Sequence, residues 1–105
     1  MIYICSPYSN NPEVNYKAVL SYVVEIFDSK GIVLFSPIIY GHTIAKKLDY
    51  AITWEYWEGF DFDMIKLCSE LWVLKLDAWS ESVGVKQEVA YAMSLNKKIE
   101  FKEYE

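Results

Sequence analysis

Three short runs of nearly uninterrupted apolar residues mark this chain, and between them apolar positions recur every three or four residues. Met1-Ile2-Tyr3-Ile4-Cys5, Ile32-Val33-Leu34-Phe35 and Glu70 to Leu76, centred on Leu71-Trp72-Val73-Leu74, read as strands buried on both faces. Lys98-Ile99-Glu100-Phe101 reads as a short final strand, with the last few residues loose. The first helix is expected from Asn11 as N-cap and Pro12 in the first turn, with Glu13 suited to the helix dipole. Tyr16, Val19, Leu20, Val23 and Phe27 supply its core face as far as about Ser29, and Gly31 is the stop. From Ile38 to Tyr50 the pattern is less regular. Ile44, Ala45 and Leu48 suggest a short helix after a break at Gly41-His42. Trp54 to Leu67 is a second substantial helix, with Trp54, Trp57, Phe60 or Asp61, Met64 and Ile65 in phase. The last helix opens at Ser82-Val83-Gly84 and continues through Met93; Val85, Val89, Ala92 and Met93 form its core stripe and Asn96 ends it.

Strands alternating with helices of this length require crossover connections, hence parallel neighbours and right-handed units. The expected fold is a single α/β domain over residues 1–105, three-layered, with about four parallel strands in the order 2-1-3-4, flavodoxin-like or Rossmann-like. No internal repeat or linker interrupts it.

Composition narrows the partners. The net charge is −5 and all ten basic residues are Lys, which argues against a nucleic-acid polymer as ligand. Any phosphate would have to be held by backbone N–H groups, hydroxyls or Lys rather than a guanidinium fork. Cys5 and Cys68 sit in apolar runs and read as reduced core thiols of a cytoplasmic protein. No signal peptide is apparent, and no apolar run approaches the ~20 residues a membrane helix needs. No spacing of Cys, His or Asp suggests a metal site, and no Gly-rich phosphate loop is present; no cofactor is expected. Four Trp and nine Tyr are more aromatic surface than one small core readily hides, which points to a homodimer or higher homo-oligomer.

In an open parallel sheet, ligands bind beyond the carboxyl ends of the strands. Ser82-x-Gly84 stands at such a junction, offering a hydroxyl and first-turn N–H groups, and Glu88 follows Gly84 by just over one turn. The first two strands both end in Ser-Pro, so Ser6 and Ser36 come to the same edge. Plainer roles stand beside these. Ser82 can be only an N-cap, Ser6 and Ser36 only turn residues, and Glu88 an exposed carboxylate stabilised by the dipole. His42, the one histidine, can be a turn residue or a sugar or phosphate contact, and Trp54, Trp57 and Trp79 can be core, interface or base-stacking residues.

Three pieces taken together resemble the nucleoside 2-deoxyribosyltransferase-like superfamily. They are Ile2-Tyr3-Ile4-Cys5-Ser6-Pro7-Tyr8-Ser9, the helix that carries Asp61, and Ser82-x-Gly84-x-x-x-Glu88 followed by Ala90 and Ala92. Within it the chain is most similar to short bacterial and phage proteins, sharing Trp54-Glu55-x-Trp57-Glu58 and Cys68-x-Glu70-Leu71-Trp72-Val73-Leu74. The resemblance implies cleavage of an N-glycosidic bond with retention, through a glycosyl-enzyme intermediate. It implies Glu88 as nucleophile and Tyr3 as the phenol that orients it. Asp61, or its neighbour Asp63, would be the group that meets sugar and leaving base. Ser82 stands where monophosphate hydrolases have Ser and transferases have Asp, which tilts the expected ligand toward a nucleotide, with Ser6, Ser82 and the Gly84 N–H near its 5′ end. Where the hydrolase pattern has Arg after the first strand, this chain has Tyr8. Two functions are therefore expected of the sequence: a nucleoside or nucleoside 5′-monophosphate N-glycosidase or deoxyribosyltransferase, or a non-catalytic protein of phage type that captures a nucleotide or nucleotide-derived signal.

Overall fold

The computed structural model describes residues 1–48 and 54–104; Tyr50, where the irregular stretch was expected to end, and the side chain of Trp54 lie outside them. Strands β1 (Ile2–Cys5), β2 (Leu34–Phe35), β3 (Glu70–Lys75) and β4 (Lys98–Glu103) form one all-parallel sheet in the order β2-β1-β3-β4. Helix α1 (Pro12–Lys30) crosses from β1 to β2. Helices α2 (Pro37–Leu48) and α3 (Trp54–Leu67) lie between β2 and β3, and α4 (Val83–Ser94) between β3 and β4.

Alternation along the strands decides which residues meet which helices. Ile4, Leu34, Trp72 and Leu74 point to one face and pack with Val19 and Ile26 of α1. Tyr3, Cys5, Leu71 and Val73 point to the other, among Ile65 and Cys68 from the α3 side and Val85 and Ala92 of α4. The register pairs Tyr3 with Leu71 on β3 and with Phe35 on β2, so the phenol of Tyr3 is delivered to the centre of the α3–α4 face. This parity is the structural fact on which the site depends.

Several local expectations need correction. Helix α2 is continuous through Gly41-His42, with no break. A Cβ at Gly41 would lie 3.4 Å from Trp57 Cε2, so glycine there serves close packing of α2 on α3 rather than a turn. On α1 the buried positions are Asn15, Val19 and Ile26, and Phe27 is 58% exposed, because the core stripe is rotated one residue from the expected one. Asn11 occupies the N-cap position without a side-chain capping bond. Met93 likewise faces outward on α4, and Val33 precedes the shortened β2. Strand β4 continues to Glu103 where a loose tail was expected. It is an edge strand, and its Lys and Glu side chains pair with each other and with β3 (Lys98–Glu100 3.1 Å, Lys102–Glu100 3.0 Å, Lys75–Glu103 2.9 Å), which discourages further strand addition.

Gly31 ends α1 as expected. Its φ of 68° is left-handed, and its N–H donates to the Phe27 carbonyl at 2.9 Å. Nothing lies within 4 Å of a Cβ built there, so Gly31→Ala tests conformation alone. The expected result is a loss of about 1 kcal/mol, read as a lower urea midpoint with unchanged slope.

Candidate functional site

The α3–α4 face of the sheet holds two carboxyl groups where a hydrophobic core would ordinarily continue. Glu88 lies on the buried stripe of α4 between Val85 and Ala92, and Asp61 on the buried stripe of α3 one turn before Ile65. Each is only 5% exposed. The Tyr3 hydroxyl donates to Glu88 Oε2 at 2.9 Å. Asp61 and, from β1, the Cys5 thiol lie close enough to the same carboxyl to act on its titration. Strand parity and the helical repeat thus bring residues 3, 61 and 88 to one point, with Cys5 as a fourth member that sequence reasoning treated as core.

Burial dominates the electrostatics. Desolvation pushes the Glu88 carboxyl well above the ordinary carboxylate range, and the charge and hydrogen bond of Asp61 push it further; the bonds from Cys5 and Tyr3 oppose this without reversing it. Desolvation also raises Asp61 to about 6, against a lowering hydrogen bond from Glu88. Both carboxyls are thus pushed toward their protonated forms, and they titrate as a coupled pair. Tyr3 and Cys5 are raised by the same burial and by Glu88, so both keep their protons and act as donors.

Among the described residues, Asp61 Oδ1 and Ser6 Oγ are buried without a partner. Buried polar atoms are nearly always satisfied in folded proteins, which sets these two apart. Ser6 stands one residue past β1. The remaining serines have local bonds. Ser36 Oγ accepts from the Ile39 N–H at 3.2 Å at the start of α2, and Ser82 Oγ accepts from Val85 N–H at 3.2 Å as the N-cap of α4. Gly84 follows in the first turn of α4, where N–H groups have no acceptor inside the helix.

A second polar cluster lies beyond β1. The Tyr8 hydroxyl is 2.6 Å from His42 Nδ1, and His42 Nε2 is 3.1 Å from Glu13 Oε2. Tyr16 stacks on the imidazole with ring centroids 4.2 Å apart, and Lys46 lies 3.6 Å from the other Glu13 oxygen. Asn15 fixes the loop by donating to the Tyr8 carbonyl at 3.1 Å and to Asn10 Oδ1 at 2.8 Å. His42 is therefore a buried member of a network and not a turn residue. Glu13, Asn15 and Tyr16 were not legible as site residues, since nothing in their spacing ties them to a histidine on another helix.

A chain of rings leads away from Tyr3. Tyr3 neighbours Phe35 at 5.9 Å, Phe35 neighbours Phe60 at 6.3 Å, and Phe60 stacks on Tyr40 at 5.5 Å and meets Trp57 at 5.9 Å. Trp57 thus belongs to an aromatic wall beside the carboxyl pair, while Trp79 packs against Phe101 near β4. Among the described residues no group of His, Cys, Asp and Glu is arranged to hold a metal ion. Both cysteines are free and buried, and among the described residues no helix is long and apolar enough to cross a membrane.

No curated protein matches the chain. A family described as "Domain of unknown function (DUF1937)" matches residues 1–103, which takes in every strand and helix and both polar clusters, and the chain belongs to that family.

Proposed function

We propose that the protein cleaves the N-glycosidic bond of a nucleoside or nucleoside 5′-monophosphate with retention, as a hydrolase or pentosyltransferase, with Glu88 as nucleophile. The observation that carries this reading is the buried Glu88–Asp61 pair with the Tyr3 phenol donating to Glu88 at 2.9 Å. Departure of a base from a sugar passes through an oxocarbenium-like state, and it needs one ionised carboxylate at the anomeric carbon and one proton for the base. A carboxyl pair holding a single proton supplies both once that proton, which burial favours on Glu88, has passed to Asp61 as the substrate binds.

In the proposed first step a Glu88 oxygen bonds to C1′ as the C1′–N bond breaks. The bonding electrons leave with the base, whose nitrogen takes the proton from Asp61. In the second, water or an acceptor base adds to C1′, its proton passes to Asp61, and the Glu88 ester bond breaks to restore the carboxylate. Tyr3 holds Glu88 in one orientation and withdraws charge from it as the ester forms. In this reading Ser6, whose Oγ is unpartnered among the described residues, meets the sugar and its 5′ end together with Ser36, Ser82 and the Gly84 N–H, and the rings of Phe60, Tyr40 and Trp57 stack on the base.

The test is incubation with a panel of deoxynucleosides, ribonucleosides and their 5′-monophosphates, with and without an acceptor base, followed by chromatography for free or exchanged base. Release from at least one member is expected; no release from any of them overturns the reading. The two buried carboxyls also favour a second reading, capture without turnover, because an uncharged Glu88 can bind a sugar hydroxyl by hydrogen bonds alone. Thermal stabilisation by an intact nucleotide, with no product after prolonged incubation, is the result that selects it.

Self-association belongs to the same proposal. The outer face of α1 exposes Val24 and Phe27 between Lys17 and Asp28, which are on the order of 16 Å apart along the axis. In a two-fold antiparallel pairing of α1 with a second copy, Lys17 of each chain meets Asp28 of the other around this apolar stripe. Sedimentation is expected to show a dimer at micromolar concentration that Phe27→Glu dissociates; a monomer throughout removes the pairing.

A further inference from the structure

The Glu13–His42–Tyr8 chain has only two permitted proton arrangements, and they give Tyr8 opposite hydrogen-bonding character. Slight desolvation raises the Glu13 carboxyl, but Lys46, the His42 bond and Lys17 outweigh it and hold Glu13 below the usual range. An ionised carboxylate only accepts, so His42 Nε2 must carry hydrogen. Burial and Glu13 raise the Tyr8 phenol, so it keeps its proton. If the imidazole is neutral, Nδ1 is a lone pair, and the Tyr8 hydroxyl donates to it across 2.6 Å. The phenolic oxygen then has only acceptor capacity left for a ligand. If the imidazole is protonated, Nδ1–H donates to the phenolic oxygen and the Tyr8 hydrogen is free to point elsewhere.

We infer that this relay is a specificity device of the site: with His42 protonated, Tyr8 donates to an anionic oxygen such as that of a phosphate monoester, and with His42 neutral it accepts from a hydroxyl. The position supports it. Tyr8 lies three residues past Cys5, so its Cα is within about 10 Å of the end of β1, the strand whose Tyr3 bonds Glu88. Ser6 Oγ, buried and unpartnered, stands two residues earlier on the same turn. The groups facing the imidazole are Tyr8 from the loop, Glu13 and Tyr16 from α1, and Lys46 through Glu13 from α2. Glu13 and the stacked phenol ring of Tyr16 both suit a cationic imidazole. The chain contains no Arg, so a protonated imidazole relayed through a phenol is a means of meeting a phosphate without a guanidinium.

The inference rests on the nucleotide reading for the sugar but not for turnover, so it is tested by binding alone. His42 is the only histidine, so its ring nitrogens give a single unambiguous signal in long-range 1H–15N spectra. In the free protein the neutral ring is expected to be the Nε2–H tautomer, because the Glu13 carboxylate accepts there. Saturating 2-deoxyribose 5-phosphate should raise the His42 titration midpoint by about one pH unit, the linkage counterpart of a tenfold preference for the protonated state. Unphosphorylated 2-deoxyribose should leave it unmoved or lower it. Tyr8→Phe keeps the ring and the imidazole but removes the hydroxyl, and is expected to abolish the upward shift; Glu13→Gln should weaken sugar-phosphate binding severalfold, up to the roughly tenfold ceiling of the same linkage. An Nδ1–H form in the free protein, no binding of the sugar phosphate, or a shift that persists in Tyr8→Phe each overturns the inference. Absence of base release with the His42 shift intact would instead remove only the glycosidase reading.

Discussion

Glu88→Gln is expected to lower base release by on the order of 10³-fold or more, while nucleotide binding changes little. The variant is chosen because a neutral carboxamide has the shape of the protonated acid that burial and Asp61 favour at this position. Its oxygen can accept from Tyr3 as Glu88 does at 2.9 Å, and its NH2 can donate to Asp61, so the fold loses no partner. What it cannot do is form the ester to C1′. Tyr3→Phe separates orientation from nucleophilicity. The loss should be smaller, about 10- to 100-fold, the scale of one hydrogen bond to a charged group. Because the Tyr3 bond is one of the interactions lowering the Glu88 carboxyl, its removal should also move the acid limb of the pH–rate profile to higher pH. Measurement is steady-state base release from the best substrate of the panel, with titration calorimetry for affinity. Equal rates for wild type and Glu88→Gln would show that any release arises elsewhere.

The architecture was legible because its signals are local. Apolar runs of strand length, separated by helical periods and closed by Ser-Pro or Gly31, specify a parallel α/β sheet of order 2-1-3-4 without knowledge of any contact. Errors occurred where tertiary packing overrides a local rule. Gly41 looked like a break and is instead the place where Trp57 approaches α2. Phe27 and Met93 fitted an apolar stripe in the sequence, yet both face outward, at 58% and 63% exposure. On α4 a Glu takes the core-facing place that periodicity reserved for an apolar residue, and on α3 an Asp does the same. That substitution is itself a readable signal: Glu88 is three residues from Val85 and four from Ala92, and Asp61 is four from Ile65, so each carboxylate falls in core phase.

The site divides along the same line. Tyr3, Asp61 and Glu88 come together because each occupies a phase that strand parity or helical repeat dictates. Ser82 and Ser36 take the local capping roles that their positions after strands allow. The Tyr8–His42 contact spans 34 positions and two elements, and Glu13 joins it from a third, so neither pattern nor propensity could have announced it. Cys5 is the free, buried core thiol that its apolar run announced, and it also neighbours Glu88. A thiol in an apolar run is ordinarily inert packing, and only the neighbouring carboxyl gives it a different part.

Asp61→Asn is expected to make the protein more stable at pH 8 by on the order of 2 kcal/mol while removing base release, with the stability difference vanishing near pH 4. The sign follows from proton counts. An unfolded chain titrates its Asp near the ordinary 3.8, whereas Asp61 in the folded state titrates at about 6 and Glu88 higher still. Between those limits the folded state binds more protons than the unfolded, so stability is fully present below about pH 4 and falls as pH rises through the folded values. Wild type should accordingly lose thermal stability from pH 5 to pH 8, the reverse of a protein whose carboxylates are paired with cations. Asp61→Asn removes one titration and the repulsion it exerts on Glu88, so its stability curve should be flatter and cross that of wild type on the acid side. Asp61 Oδ1 has no partner in the folded protein, so the exchange to a carboxamide forfeits no bond there. Calorimetric melting from pH 4 to pH 8 decides the matter: a variant less stable than wild type at pH 8 would mean that the pair holds the fold together. The expected result means the opposite, that two carboxyls are kept where they destabilise the protein because the chemistry at that point needs one with its proton and one without.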